Sequence, residues 1–166
     1  MDSTELKNLQ APIKEKYKAE PAAALITLKA EGKVGGGISC KVATGRAVVE
    51  AGLHPATGGT GQLACSGDLL LEALVACAGV TLSAVATAIG IEIKSGIVRA
   101  EGDLDFRGTL GVSREVPVGF GSIRLLFVLE TDAAKEQIES LSKLTERYCV
   151  VYQTLVKGVS IDTQYQ

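Results

Sequence analysis

Four cysteines, at positions 40, 65, 77 and 149, and a single histidine, His54, are the residues of this 166-residue chain best suited to nucleophilic, redox or metal chemistry. Their spacing narrows what that chemistry can be. No two cysteines form a CxxC pair, so the spacing of a zinc ribbon or of a thioredoxin-type dithiol is absent. One histidine cannot complete a histidine-rich metal site, and no Cys–His dyad is indicated. His54 lies in the turn-like GLHPATGGTG and reads as a solvated loop residue. No metal or cofactor is expected. What remains is thiol chemistry: attack by a thiolate, oxidation to a sulfenic acid, and capture by a second thiol. In a reducing compartment, scattered cysteines are structural or catalytic rather than a disulfide scaffold.

The element that carries Cys77 is the most distinctive in the chain. Residues 69–90, LLLEALVACAGVTLSAVATAIG, contain no proline and are apolar on every face apart from Glu72 and a few small hydroxyls. So long a run predicts a buried helix rather than a strand. Ser66 is suited to cap it, Asp68 places a negative charge in its first turn, and Gly90 suits its C-terminal stop. At spacings of three, four and seven, Cys77 shares its face with Ala73, Leu74, Val80, Thr81 and Ala84, small enough for another element to approach closely. A free cysteine is also among the most often buried residue types, so simple packing is the competing account. Cys65, just ahead of the helix, is a minor rival as reactive thiol, because amides at a helix start can stabilise a thiolate.

The other elements follow from pattern. Residues 3–18 carry Leu6, Leu9, Ile13 and Tyr17 as a helical stripe interrupted by Pro12, which predicts an amphipathic N-terminal helix, kinked before the proline. We therefore divide the chain into an N-terminal extension, 1–20, and a main domain, 21–166. Runs 24–30, 38–44 and 47–51, separated by glycine-rich turns, predict an antiparallel meander with Cys40 in its second strand. Runs 91–98, 99–106 and 122–130 predict a second meander. A second helix, starting near Thr131 or Asp132 and running through Cys149 to Gly158, shows Ile138, Leu141, Leu144 and Tyr148 on one stripe. Residues 159–163 suit a closing strand. Strands grouped around helices, rather than alternating singly with them, indicate an α+β fold with mainly antiparallel sheet. A central helix apolar on all sides needs more cover than one small sheet provides, which an intertwined homodimer would supply.

Composition excludes several function classes. Seventeen basic against nineteen acidic residues leave no field to draw the chain to nucleic acid or an anionic membrane. Aromatic residues make up 4% and tryptophan is absent, so stacking platforms for single strands are missing. The polar, acidic N-terminus MDSTELKNLQ lacks the basic start and apolar run of a signal peptide, so a cytoplasmic protein is expected. Glu72 and the many small residues make 69–90 a mild candidate for a bilayer span, and a core helix is expected instead.

Two segments carry a resemblance. GGTGQLACSGDLLLEALVACAGVTLSAVATAIGI resembles the signature of the OsmC/Ohr family of thiol-dependent hydroperoxide reductases, in which a GG loop leads to a leucine- and alanine-rich helix with a central reactive cysteine. LSKLTERYCVVYQTLVKGVSI is similar to that family's second cysteine motif. The resemblance covers roughly residues 23–162. It implies an OsmC-like fold: two antiparallel meanders around a long central helix, a second cysteine-bearing helix, and a homodimer with its active site at the subunit interface. It further implies that Cys77 is the peroxidatic and Cys149 the resolving cysteine, that organic hydroperoxides are the substrates, with hydrogen peroxide a second candidate, and that a dithiol such as a lipoyl-bearing protein is the reductant. The class would then be an oxidative-stress peroxidase. The other function class compatible with these residues is an OsmC-fold protein without catalysis, binding a small molecule in an apolar pocket or sensing redox state.

The chain departs from the family pattern at defined positions. The glutamate of the organic-hydroperoxide branch, ten residues before the reactive cysteine, is here Gly67, beside Asp68. Its activating arginine has no counterpart in GKVGGGIS, and YCVVYQTL lacks the proline and serine that commonly follow the second cysteine. A thiol of ordinary pKa, about 8.5, is only a few per cent thiolate at neutral pH, and each unit of lowering requires about 1.4 kcal/mol of preferential thiolate stabilisation. Another group must therefore supply it, and Arg46, Arg99 and Arg107 are the cationic candidates.

Overall fold

The computed structural model describes residues 3–34, 40–42 and 51–165. Helix α1 (Ser3–Ala19) leads through a 3-10 turn (Pro21–Ala24) into strands β1 (Leu25–Val34) and β2 (Cys40–Val42). Short strand β3 (Ala51–Gly52), a 3-10 turn (Pro55–Thr57) and strand β4 (Ala64–Cys65) precede helix α2 (Ser66–Ala88). Strand β5 (Ser95–Asp105), helix α3 (Phe106–Thr109), strand β6 (Phe120–Glu130) and helices α4 (Lys135–Tyr148) and α5 (Val150–Lys157) complete the described chain. The fold is α+β. One sheet has strand order β2-β1-β5-β6, with β1 and β2 antiparallel in the register Gly32↔Val42, Lys33↔Lys41 and Val34↔Cys40. β3 and β4 form a separate parallel pair.

Several elements differ from the sequence reading for identifiable reasons. β1 continues through residues 31–34, which the glycine signal marks as a turn, because pairing with β2 extends the ladder to Val34. Residues 91–98 and 99–106 do not form two strands; 95–105 is one uninterrupted strand whose Gly96 and Gly102 are both buried. The predicted strand at 47–51 falls almost wholly outside the described residues. Residues 158–165 hold no described strand; Val159 and Ile161 are exposed. The second helix starts at Lys135, later than expected, since Thr131 is spent on a turn in which its hydroxyl donates to the Glu92 carbonyl at 2.6 Å.

The chain packs as two units, the first drawn from Met1–Ala30, Ala43–Glu72 and Arg99–Leu125 and the second from Glu31–Val42, Ala73–Val98 and Leu126–Gln166. In the first, Tyr17, Ala24, Phe106 and Leu110 form a core against which Ile13, Ile26 and Leu104 pack. α1 runs through Pro12 as one helix, without a break. Packing holds both sides of the proline: Gln10 donates to the Thr57 carbonyl at 3.3 Å, and the Tyr17 hydroxyl to the Ala56 carbonyl at 2.7 Å. His54 is not a free loop side chain. Its ring stacks on Phe106 with centroids 4.9 Å apart, and its Nδ1 accepts the Ala56 N–H at 3.0 Å, capping the Pro55–Thr57 turn.

The second unit centres on Leu82, Ala86, Ile91 and Leu141, with Val85, Phe127 and Leu129 packed around them. α2 has the length and apolarity of a membrane span, with a mean hydropathy of 2.1, yet Leu74, Val75, Ala78 and Leu82 are no more than 2% exposed within the chain. It is a core helix. Its end is well defined: Gly90 takes φ 73°, and Ile91 N–H returns to the Ala86 carbonyl at 2.8 Å while Gly90 N–H reaches Thr87 at 3.3 Å. That pairing is a Schellman stop, in which the left-handed residue turns the chain back over the last turn. An alanine Cβ at position 90 would meet nothing within 4 Å, so only backbone strain opposes it. Gly90→Ala is expected to lower stability by about 1–2 kcal/mol, read as a smaller denaturant midpoint at unchanged slope.

Candidate active site

Cys77 lies at mid-length on α2 and is half-buried, whereas Cys149 is only 1% exposed. Cys149 occupies the joint between α4 and α5. Its N–H closes α4 on the Thr145 carbonyl at 2.9 Å, its φ and ψ of −70° and 109° are extended, and its carbonyl opens α5 by accepting the Gln153 N–H at 2.9 Å. The sulfur then acts as the N-cap of α5, accepting the Tyr152 N–H at 3.5 Å. The Gln153 side chain bridges the joint, donating to the Glu146 carbonyl at 2.8 Å and satisfying one of the last carbonyls of α4. The sequence predicts one helix through Cys149; the structure breaks it there. Neither glycine nor proline marks the break, and the poor helix formers Val150 and Val151 are the only local sign of it.

The break has an electrostatic result. It leaves the first amides of α5 without intrahelical partners, and those of Val151 and Val150 act on the Cys77 sulfur to lower its pKa. The Cys149 thiol and the Thr81 hydroxyl act on the same sulfur. Burial alone would push the Cys77 pKa up, but the Val151 N–H, the Cys149 thiol, the Thr81 hydroxyl and the Val150 N–H together bring it below the ordinary thiol value. Cys149 moves the other way. Burial pushes it up, the Tyr152 N–H opposes this in part, and the neighbouring Cys77 sulfur adds to the rise, to about 11. The two thiols thus stand in contact with opposite tendencies: Cys77 toward thiolate, Cys149 toward thiol.

The other sequence candidates have other places. Arg107 is bound to Asp105, with its Nε 3.0 Å from both carboxylate oxygens. Arg99 stands on the exposed side of β5, and Arg46 lies outside the described residues. Cationic help for Cys77 is the expectation from sequence; among the described residues the groups that lower its pKa are the Val151 and Val150 N–H groups at a helix start, the Cys149 thiol and the Thr81 hydroxyl, and sequence reasoning missed the amides because the helix start was hidden. Cys65 is half-buried at the end of β4, and only the backbone of Cys40 is described, in β2. At the start of α2, burial holds Asp68 above the usual carboxylate range, against the attraction of His54, and burial and then Asp68 do the same for Glu72. Among the described residues no group of three or more His, Cys, Asp or Glu side chains could hold a metal ion.

A family model described as OsmC-like protein matches residues 59–164, a span that includes both Cys77 and Cys149. The chain belongs to the OsmC-like family. No curated protein matches it by sequence. The fold of this OsmC-like protein is similar to the crystal structure of an OsmC-like hydroperoxide resistance protein from Jannaschia sp. CCS1, with a TM-score of 0.62 and 19% identity over 86% of this chain and 94% of that one. The α+β architecture expected from the sequence is therefore the OsmC-like fold.

The two thiols of the OsmC-like protein should respond differently to an alkylating agent. With iodoacetamide at neutral pH, Cys77 is expected to react first and at a rate that rises through a midpoint below that of a free thiol. Cys149 should stay unmodified in the folded protein until the pH nears 11. Mass mapping after timed quenching checks both, and equal rates at the two sites would contradict the site geometry.

Proposed function

We propose that this OsmC-like protein is a cytoplasmic thiol peroxidase that reduces organic hydroperoxides, with Cys77 as nucleophile and Cys149 as resolving thiol. The observation that carries the reading is the pair of sulfurs at the start of α5 with opposed shifts, Cys77 held below the ordinary thiol value and Cys149 pushed up to about 11. The Cys77 thiolate attacks the terminal peroxide oxygen; the S–O bond forms, the O–O bond breaks, and the alkoxide takes a proton to leave as an alcohol. The Cys149 sulfur then displaces the oxygen of the sulfenic acid, forming the disulfide and releasing water, with the Cys149 proton accounting for the balance. An external dithiol, such as a lipoyl-bearing protein, returns the disulfide to two thiols and is itself oxidised to a cyclic disulfide. Tyr148 and Val150, on either side of Cys149 in the chain, are exposed and would offer apolar surface to the organic part of the substrate.

A second copy of the chain belongs to the same proposal. On α2, Ala73, Val80 and Thr87 are exposed and Cys77 and Ala84 half-buried, at alternating spacings of four and three, while the opposite face is buried. This stripe of small and apolar side chains can pack on its own copy across a two-fold axis, closing the site around Cys77.

One observation favours a second reading, a binding protein without turnover: a partly open, mostly apolar cleft of about 470 Å³, lined by Leu82, Phe127, Leu129, Ile138 and Leu141 among others. The two readings separate on peroxide treatment. For the peroxidase, cumene hydroperoxide added to the reduced protein should yield a Cys77–Cys149 disulfide within seconds and faster than hydrogen peroxide does. Cys77→Ser should abolish turnover, and Cys149→Ser should permit one oxidation and then accumulate sulfenic or overoxidised Cys77. Thiols that oxidise no faster than free cysteine would leave the binding reading. For the dimer, Val80→Glu should shift the mass measured by light scattering from two chains to one; a wild-type mass of one chain would refute it.

A further inference from the structure

Two helices that meet without a glycine or a proline between them need another reason to stay separate. In a continuous helix the Glu146, Arg147 and Tyr148 carbonyls would accept from the N–H groups of Val150, Val151 and Tyr152, each four residues on. At the α4–α5 joint the backbone ladder instead ends with Cys149 N–H on the Thr145 carbonyl and starts again with Gln153 N–H on the Cys149 carbonyl, both at 2.9 Å. Two substitutes stand between. The Tyr152 N–H goes to Cys149 Sγ at 3.5 Å, and the Glu146 carbonyl accepts from Gln153 Nε2 at 2.8 Å. The second is of good length for an N–H···O bond, and it joins residues seven apart in sequence. A continuous helix would hold them about 10.5 Å apart along its axis. The bond thus belongs to the broken form: the Gln153 amide occupies the acceptor that the Val150 N–H would otherwise claim. Val150 is the first residue of α5. A proline there would forbid continuation, because it lacks the N–H and confines the preceding residue to extended backbone. Valine imposes neither restriction.

We propose that Gln153 is a positioning residue for the thiol pair: by taking the Glu146 carbonyl it keeps the α4–α5 joint open and holds Cys149 extended, with its sulfur at the start of α5. It acts through Cys149 rather than on the substrate. Cys149 is buried with φ −70° and ψ 109°, and its sulfur caps α5 through Tyr152 only in that conformation. Without the amide, the Val150 N–H can return to Glu146, extending α4 through Cys149 and carrying the sulfur round the helix axis. One neutral hydrogen bond corresponds to a bias of about three- to tenfold between the two forms. This deepens the peroxidase reading and rests on it, with Cys77 as nucleophile and Cys149 as resolving thiol.

The test is the fate of Cys77 when the reduced full chain, in a Cys40→Ser, Cys65→Ser background, meets excess cumene hydroperoxide. A Cys77 sulfenic acid either loses its oxygen as water to the Cys149 thiol, giving the disulfide, or is oxidised by a second hydroperoxide, which leaves as the alcohol, to the sulfinic acid. The ratio of the two products, read by mass, reports how well Cys149 is placed, and a loss of global stability does not by itself change it. Gln153→Met keeps the length and removes the donor; Gln153→Glu keeps the shape and presents an oxygen to the carbonyl. Each is expected to lower the ratio of disulfide to sulfinic acid by about three- to tenfold, with a denaturant midpoint that shows folded protein. Adding Val150→Pro to Gln153→Met should return the ratio toward the parent, because the ring removes the competing N–H and keeps Cys149 extended. Parent ratios in both Gln153 variants would overturn the role of Gln153, and so would a lowered ratio that Val150→Pro leaves uncorrected. A parent protein that forms no Cys77–Cys149 disulfide at all would instead overturn the thiol assignment itself.

Discussion

A single chain break in the hydrogen-bond ladder, at Cys149, underlies the chemistry available to this protein. Had α4 continued into α5 without interruption, the N–H groups of Val150 and Val151 would have been consumed by carbonyls one turn earlier. Because Cys149 is extended, they are left over, and they act to lower the pKa of the Cys77 sulfur. A half-buried sulfur surrounded by valine, alanine and leucine would otherwise have its pKa raised by desolvation. The site therefore rests on a backbone feature: donors of fixed position that need no charged side chain and lose no rotamer freedom when they bind an anion.

How much of this was legible in the sequence depends on the level asked. The apolar run around Cys77 identified the central helix, and Asp68 and Gly90 sit in its first turn and at its stop as their types suggest. The grouping of strands around helices identified the α+β class. The pairing of Cys77 with Cys149 came from the resemblance, since the residue pattern by itself singled out Cys77 on its helix, with Cys65 as a minor rival, and gave Cys149 no special place. Tertiary pairing was not legible: strand β1 runs past its glycine, α1 runs past Pro12, and His54 stacks on Phe106, each because a residue distant in sequence overrides the local signal. The activating groups were the least legible of all. A motif points to charged side chains, whereas the largest lowering effect on Cys77 comes from the peptide N–H of Val151, a group that every residue but proline carries and no motif records.

The two faces of α2 divide its labour. Leu74, Val75, Ala78 and Leu82 anchor it in the chain's own core. The face that bears Cys77 is made of alanine, valine and threonine, small enough for close approach and too apolar to be at ease in water. Stability is thus concentrated on one side and accessibility on the other, and Cys77 stands on the boundary. The Schellman stop at Gly90 contributes by fixing where α2 ends and sending Ile91 back into the core beside Leu82 and Leu141.

The unequal burial of the two sulfurs has a consequence for the return half of a redox cycle. In a Cys77–Cys149 disulfide an incoming thiolate reaches the half-buried Cys77 sulfur, while the enclosed Cys149 becomes the leaving group. A leaving thiol whose pKa is pushed up by burial departs slowly, because the charge it must carry is poorly solvated where it stands. In the proposed cycle the environment that lowers the pKa of Cys77 also makes Cys149 reluctant to be expelled, which would give the disulfide a direction: the mixed disulfide would form on α2 and the joint between α4 and α5 would be released last.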